Sequence, residues 1–135
     1  MELFVYGTLR PSFGHPLGLA LARDGAFQGM ARVPGRLYDY GEYPVAIPDF
    51  TGCEELVGEV FAIAPDHDLV RELDVYEDYH PSDPEQSLFV RAKVMANFPN
   101  GGCREVEIYW YRASVEGLHR IEAGDYEVYC QSKQR

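Results

Sequence analysis

Short apolar runs and a loose two-residue alternation dominate this chain, and two stretches follow helical spacing instead. Leu3, Phe4 and Val5 form an apolar run of strand-forming residues that Gly7 stops. Pro11 to Gly14 is turn-like, and Pro16 to Arg23 carries its leucines as a short helix with Pro in its first turn. From Ala26 to Tyr40 the alternation resumes. Val33-Pro34-Gly35 interrupts it, which predicts either two strands or one strand with a sharp bend. After a loop at Gly41–Pro44, Val45 to Ile47 is a short strand closed by Pro48, and Glu55 to Ala64 a stronger one. The best helix runs from Pro65 to about Asp78. Ser82 to Gln86 is a polar loop, and Ser87–Ala96 and Glu105–Tyr111 read as strands of a hairpin across Pro99-Asn100-Gly101-Gly102. Residues from Ala113 to Gly124 fit a helical turn or a loop, and the polar tail after Tyr129 is expected to be mobile.

The 65–78 helix holds an anomaly. At roughly 100° per residue, Leu69, Val70, Leu73 and Tyr76 share one stripe, and Glu77 falls on that same stripe. Asp74 and Asp78 lie at its edge or beyond, and Glu72 lies well to the side. A carboxyl turned inward loses solvation, which raises its pKa and makes it a usable base near neutral pH. The competing arrangement has Glu77, close to the helix end, bending out to water or pairing with Arg91.

The opening strand ends in a second feature. Past Gly7, read here as a residue chosen for its backbone freedom, the N–H groups of Gly7, Thr8 and Leu9 have no obvious strand partner. Consecutive free N–H groups form a small concavity for an anion or a carbonyl. This loop is therefore a candidate grip for a substrate oxygen, with a catalytic group facing it.

Composition narrows the choices. With 135 residues, 46% of them apolar, the chain is long enough for one domain, 1–135, with its own core. Ten Tyr and seven Phe favour a β-rich fold with a few helices. A formal charge of −10 excludes the basic patch that nucleic acid needs, and no apolar run approaches a membrane span. Cys53, Cys103 and Cys130 share no close spacing, and the strand motif begins too near Met1 for a cleavable leader. A cytoplasmic, monomeric protein with reduced thiols and no nucleic-acid or membrane partner is expected. His15, His67, His80 and His119 lack metal-ligand spacing, and no nucleophile elbow, Walker loop or dinucleotide fingerprint is present. Thr8 as a nucleophile is weaker than Thr8 bonding its own turn, and Tyr109 and Tyr111 read first as core and second as a pocket wall.

Four segments occur in order: Val5-Tyr6-Gly7-Thr8-Leu9-Arg10, Glu72 to Tyr79, Val90 to Val94, and Ile121 to Tyr126. Together they resemble the γ-glutamylcyclotransferase-like, or AIG2-like, proteins, including the γ-glutamylamine cyclotransferases, over nearly the whole chain. The resemblance implies an α+β fold: a compact mixed β-barrel of about six strands with flanking helices and a pocket at one end. It implies that Tyr6, Gly7, Thr8 and Leu9 bind a γ-glutamyl substrate and that Glu77 shuttles the proton, with neither metal nor organic cofactor. The implied reaction is attack of the substrate's α-amino group on its own γ-carbonyl, releasing 5-oxoproline and an amine. A non-catalytic small-molecule-binding or interaction domain using the same pocket is the alternative. Two departures stand out: Asp78 where the family often has Gly, and Tyr126 where it often has Trp. The charge of Asp78 beside Glu77 is expected to raise the base's pKa further and to discourage an anionic substrate.

Overall fold

The structure, a computed structural model, describes residues 1–133. Its elements in chain order are β1 (Glu2–Val5), α1 (Pro16–Asp24), β2 (Ala26–Asp39), β3 (Pro44–Pro48), β4 (Glu55–Ala62), α2 (Asp68–Tyr76), β5 (Phe89–Asn97), β6 (Cys103–Tyr111), β7 (His119–Ile121) and α3 (Tyr126–Lys133). Strands β2, β4, β1, β6 and β5 are neighbours in that order, and β5 returns to β2 through Arg32 and Asn97. That pairing closes a five-stranded barrel, the expected mixed fold, with β3 and β7 added to the far half of β2.

Period-two alternation sorts the side chains. Leu3 and Val5 of β1 join a core with Leu21 of α1 and Leu69, Val70 and Leu73 of α2. Phe4 and Tyr6 turn the other way, into the barrel interior with Val33, Leu56, Val60, Val106 and Ile108. Helices α1 and α2 thus cover one side of the barrel wall.

The Ala26–Tyr40 region is one strand rather than two. It pairs with β4 as far as Pro34 and with β3 from Gly35 onward, so the bend predicted at Val33-Pro34-Gly35 is where it changes neighbours. Three expectations give way. The 65–78 helix begins at Asp68, because His67 accepts the Leu69 N–H on its Nδ1 at 3.0 Å and serves as the cap. The 113–124 segment contains β7, which pairs with Leu37–Asp39 of β2. The tail expected to be mobile is helical through Lys133, its start capped by Asp125 Oδ1 accepting the Glu127 N–H at 3.0 Å. The rest of that tail, 134–135, lies outside the described residues. Among the described residues no helix is long and apolar enough to cross a membrane.

The barrel wall is closely packed where β1 meets β4. A Cβ at Gly58 would lie 2.6 Å from the Phe4 ring, with the Val5 carbonyl also in its way. Gly58→Ala is therefore expected to lower stability by about 1–3 kcal/mol, as overpacking does. Denaturant midpoints of the two proteins measure this, and an unchanged midpoint would contradict the packing.

Candidate active site

Parallel strands β1 and β6 meet at one register point, Leu3 beside Glu107. Beyond it β1 runs out into the Tyr6–Leu9 loop while β6 continues, and a cavity of about 160 Å³ opens there. The loop forms one side, Tyr76 and Glu77 at the end of α2 another, and Tyr43 and Pro44 of the β2–β3 hairpin a third. Phe4, Val5, Leu88, Phe89 and Tyr109 complete an apolar lining. Tyr6, Gly7, Thr8, Leu9 and Glu77, far apart in sequence, thus line one cavity.

The loop is a tight turn in which the Arg10 N–H donates to the Gly7 carbonyl at 3.0 Å. The N–H groups of Gly7, Thr8 and Leu9 donate to no other protein group among the described residues. Gly7 is required for a different reason than expected. Its backbone is not left-handed, but a Cβ there would sit 2.6 Å from Pro44 Cγ. Gly18 of α1 plays the same part against the Leu9 carbonyl, at 2.6 Å. Arg10, only 4% exposed, anchors the turn from behind. Its guanidinium donates to Glu59 at 3.0 Å and Asp125 at 3.1 Å, and Glu127 lies 3.3 Å away. No local pattern marks this role, since all three partners are remote in sequence.

Glu77 caps the C-terminal end of α2, directly after Tyr76. The Tyr79 N–H donates to the Asp74 carbonyl at 2.8 Å and the Asp78 N–H to the Val75 carbonyl at 3.1 Å, a Schellman closure. Asp78 takes the left-handed position of that motif, with φ 53°. That is the backbone conformation in which glycine is favoured. The Glu77 carboxylate has no hydrogen-bond or ion-pair partner among the described residues, and burial pushes its pKa up to about 7. Asp78 does not contribute to this shift as expected. Its side chain is exposed and lies 2.8 Å from His80 Nε2.

Arg91, the other partner considered for Glu77, is engaged elsewhere. It forks onto Asp74 at 2.9 and 3.1 Å and donates to Glu107 at 2.7 Å, while the Tyr109 hydroxyl donates to Asp74 at 2.6 Å. Asp74, placed at the edge of the helical stripe, is thus the buried structural carboxylate. Tyr76, placed on the core stripe, is 44% exposed and stands at the cavity instead. The Tyr6 hydroxyl donates to the Tyr109 carbonyl at 2.7 Å; burial, then the nearby Glu77, raises its pKa well above the usual value and keeps it neutral. Tyr109 proves to be core and pocket wall together. Among the described residues no three His, Cys, Asp or Glu side chains converge as metal ligands, and His15 and His67 cap helices.

A model of the family described as "Gamma-glutamyl cyclotransferase, AIG2-like" matches residues 3–128. No curated protein is significantly similar in sequence. Among solved structures, the ytfP protein of Escherichia coli is 29% identical, with 93% of this chain and 96% of that one covered and a TM-score of 0.63. An AIG2-like protein from Mus musculus is 23% identical over 90% of this chain and 85% of that one, TM-score 0.65. A γ-glutamyl cyclotransferase is 14% identical over 89% and 69%, TM-score 0.62. The last two show a shared fold.

Two outcomes follow from the site's geometry. Asp78→Gly is expected to raise stability by about 0.5–1 kcal/mol by relieving the left-handed strain, against the loss of one exposed ion pair. Thermal unfolding reads this, and a large loss would show that the Asp78–His80 contact matters more than the backbone. For Glu77, the folded pKa of about 7 exceeds the ordinary 4.5, so the folded state holds the proton more tightly. Stability from this source is full at low pH and is lost as pH rises between those two values. Glu77→Gln is expected to match the wild type near pH 4 and to exceed it by about 1–3 kcal/mol at pH 8. Parallel unfolding curves at both ends of this pH range check the sign.

Proposed function

The chain belongs to the γ-glutamyl cyclotransferase, AIG2-like family, and we propose that its cavity converts a γ-glutamyl amine or amide into 5-oxoproline and the free amine. The observation that carries this reading is an unpaired carboxylate, with a pKa near 7, in the same apolar cavity as a loop of free backbone N–H groups.

A γ-glutamyl compound contains its own nucleophile. Its α-amino nitrogen attacks its γ-carbonyl carbon, a new C–N bond closes a five-membered ring, and the bond to the leaving nitrogen breaks. The protein's task is to hold the folded attack geometry and to move protons. Near neutral pH Glu77 is divided between its two protonation states, so it can accept a proton from the α-ammonium and return one to the departing amine. Among the described residues no Lys or Arg lines the cavity, so the N–H groups of Gly7, Thr8 and Leu9 are the donors available for the substrate's α-carboxylate. Tyr6, kept neutral, holds the start of this loop to β6 through its bond to the Tyr109 carbonyl. The reading carries with it a cytoplasmic monomer acting on a small metabolite, with no nucleic-acid or membrane partner and no metal or organic cofactor. The charge of −10 is in keeping with this.

The test is release of 5-oxoproline from a panel of γ-glutamyl compounds, by wild type and by Glu77→Gln. Turnover is expected to fall by about 10²–10⁴ in the variant, the usual contribution of general acid–base catalysis. The wild-type rate should show a pH limb near 7. Wild-type protein that binds these compounds yet releases no 5-oxoproline would be a binding domain, and undiminished turnover in the variant would remove Glu77 from the reaction.

A further inference from the structure

The γ-glutamyl group occupies the inner half of the cavity in the reading above, on which this inference rests, so the leaving amine must extend toward the opening. The floor residues Phe4, Val5, Phe89 and Tyr109 are almost fully buried. The lining residues that keep substantial exposure include Tyr43 and Tyr76, which places them at the mouth. Tyr40, 48% exposed, stacks on Tyr43 with ring centres 5.1 Å apart and planes within 16°. The rings are braced from behind: Tyr40 meets Tyr111 edge-on at 6.0 Å, and Tyr76 rests against His15 at 4.7 Å. Burial first, then Tyr40, Tyr111, Glu77 and Tyr76, pushes the Tyr43 hydroxyl above its usual pKa and keeps it neutral, and Tyr43, Tyr76 and Glu77 line the same cavity.

We propose that Tyr40, Tyr43 and Tyr76 form a leaving-group subsite that selects amines carrying a second, positively charged group over amines carrying a carboxylate. An ammonium lies favourably over the face of a tyrosine ring, while a carboxylate is repelled by it. Among the described residues nothing in the lining offsets that repulsion, since it contains no Lys, Arg or His. The nearby formal charge is acidic: Glu77 in the cavity, and Glu42, exposed on the hairpin between Tyr40 and Tyr43. A chain with charge −10 adds a long-range field of the same sign. The subsite thus favours the γ-glutamyl adduct of an alkyl diamine and disfavours γ-glutamyl peptides.

Three γ-glutamyl compounds of matched length test this, with 1,5-diaminopentane, pentylamine and 5-aminopentanoate as the leaving amines. For wild type, kcat/KM is expected to be about 5- to 30-fold higher for the diamine adduct than for the pentylamine adduct, and lowest for the carboxylate. Tyr43→Leu and Tyr76→Leu are each expected to bring the diamine-to-pentylamine ratio toward one, whereas Tyr43→Phe, which keeps the ring, retains it. Thermal unfolding confirms that each variant is folded. Equal rates for the cationic and neutral adducts overturn the subsite while leaving the cyclotransferase reading intact. So does a preference undiminished in both Leu variants, which would assign it to Glu77 alone. If no compound is turned over, the cyclotransferase reading fails separately. Dissociation constants of the same three compounds for wild type and the Leu variants then decide the subsite: the same charge order supports it, and its absence, or the absence of binding, overturns it.

Discussion

The fork between Arg91 and Asp74 is the contact that sets the character of this site. It ties α2 to β5, and Tyr109 of β6 closes it by donating to the same carboxylate. Losing one partner of such a buried set leaves an uncompensated charge, at about 3–5 kcal/mol, so the helix has little freedom to dock elsewhere. The same contact takes the nearest guanidinium away from Glu77, one turn along. With Arg91 held by Asp74 and Glu107, Glu77 faces an apolar cavity with no counter-ion, and burial alone moves its pKa. A paired carboxylate and an unpaired one therefore lie three residues apart at the end of one helix, and the difference between them is who received the arginine.

Across the cavity the Tyr6–Leu9 loop is held by contacts of a different kind. Pro44 presses on Gly7, α1 presses its Gly18 against Leu9, and Arg10 is gripped by carboxylates of β4 and the α3 region. These contacts take up the loop's outward surface and leave its N–H groups free. The space in front of them opens beyond the end of β1, past its one register point with β6.

Among the described residues the cavity holds an unpaired carboxylate, free backbone donors and tyrosine rings but no cationic side chain. In the proposed reading the loop takes the α-carboxylate, Glu77 faces the α-ammonium, and a further positive group lies at the mouth. That proposed polarity would orient such a substrate with its scissile bond beside Glu77. The same arrangement keeps an inward carboxyl partly protonated, which a Lys or Arg in the lining would abolish by holding it ionised.

Much of this was legible in the chain itself. Apolar, strand-forming runs reported β1 and β4, Pro34-Gly35 marked the point where β2 changes neighbours, and the helical wheel set Glu77 on the apolar side of α2. These are local signals, carried by neighbouring residues and by backbone sterics. The Gly7–Leu9 loop was equally visible, although Gly7 is demanded by Pro44 and not by its own torsions. What the sequence could not disclose depended on partners far along the chain: β7 as a strand, Arg10 as an anchor, and Tyr76 as a residue of the mouth. Above all, three carboxylates, Glu77, Asp74 and Glu107, lay within plausible reach of Arg91. Only the packed barrel chose between them, because burial and hydrogen-bond geometry are properties of the assembled neighbourhood and not of any residue or its spacing.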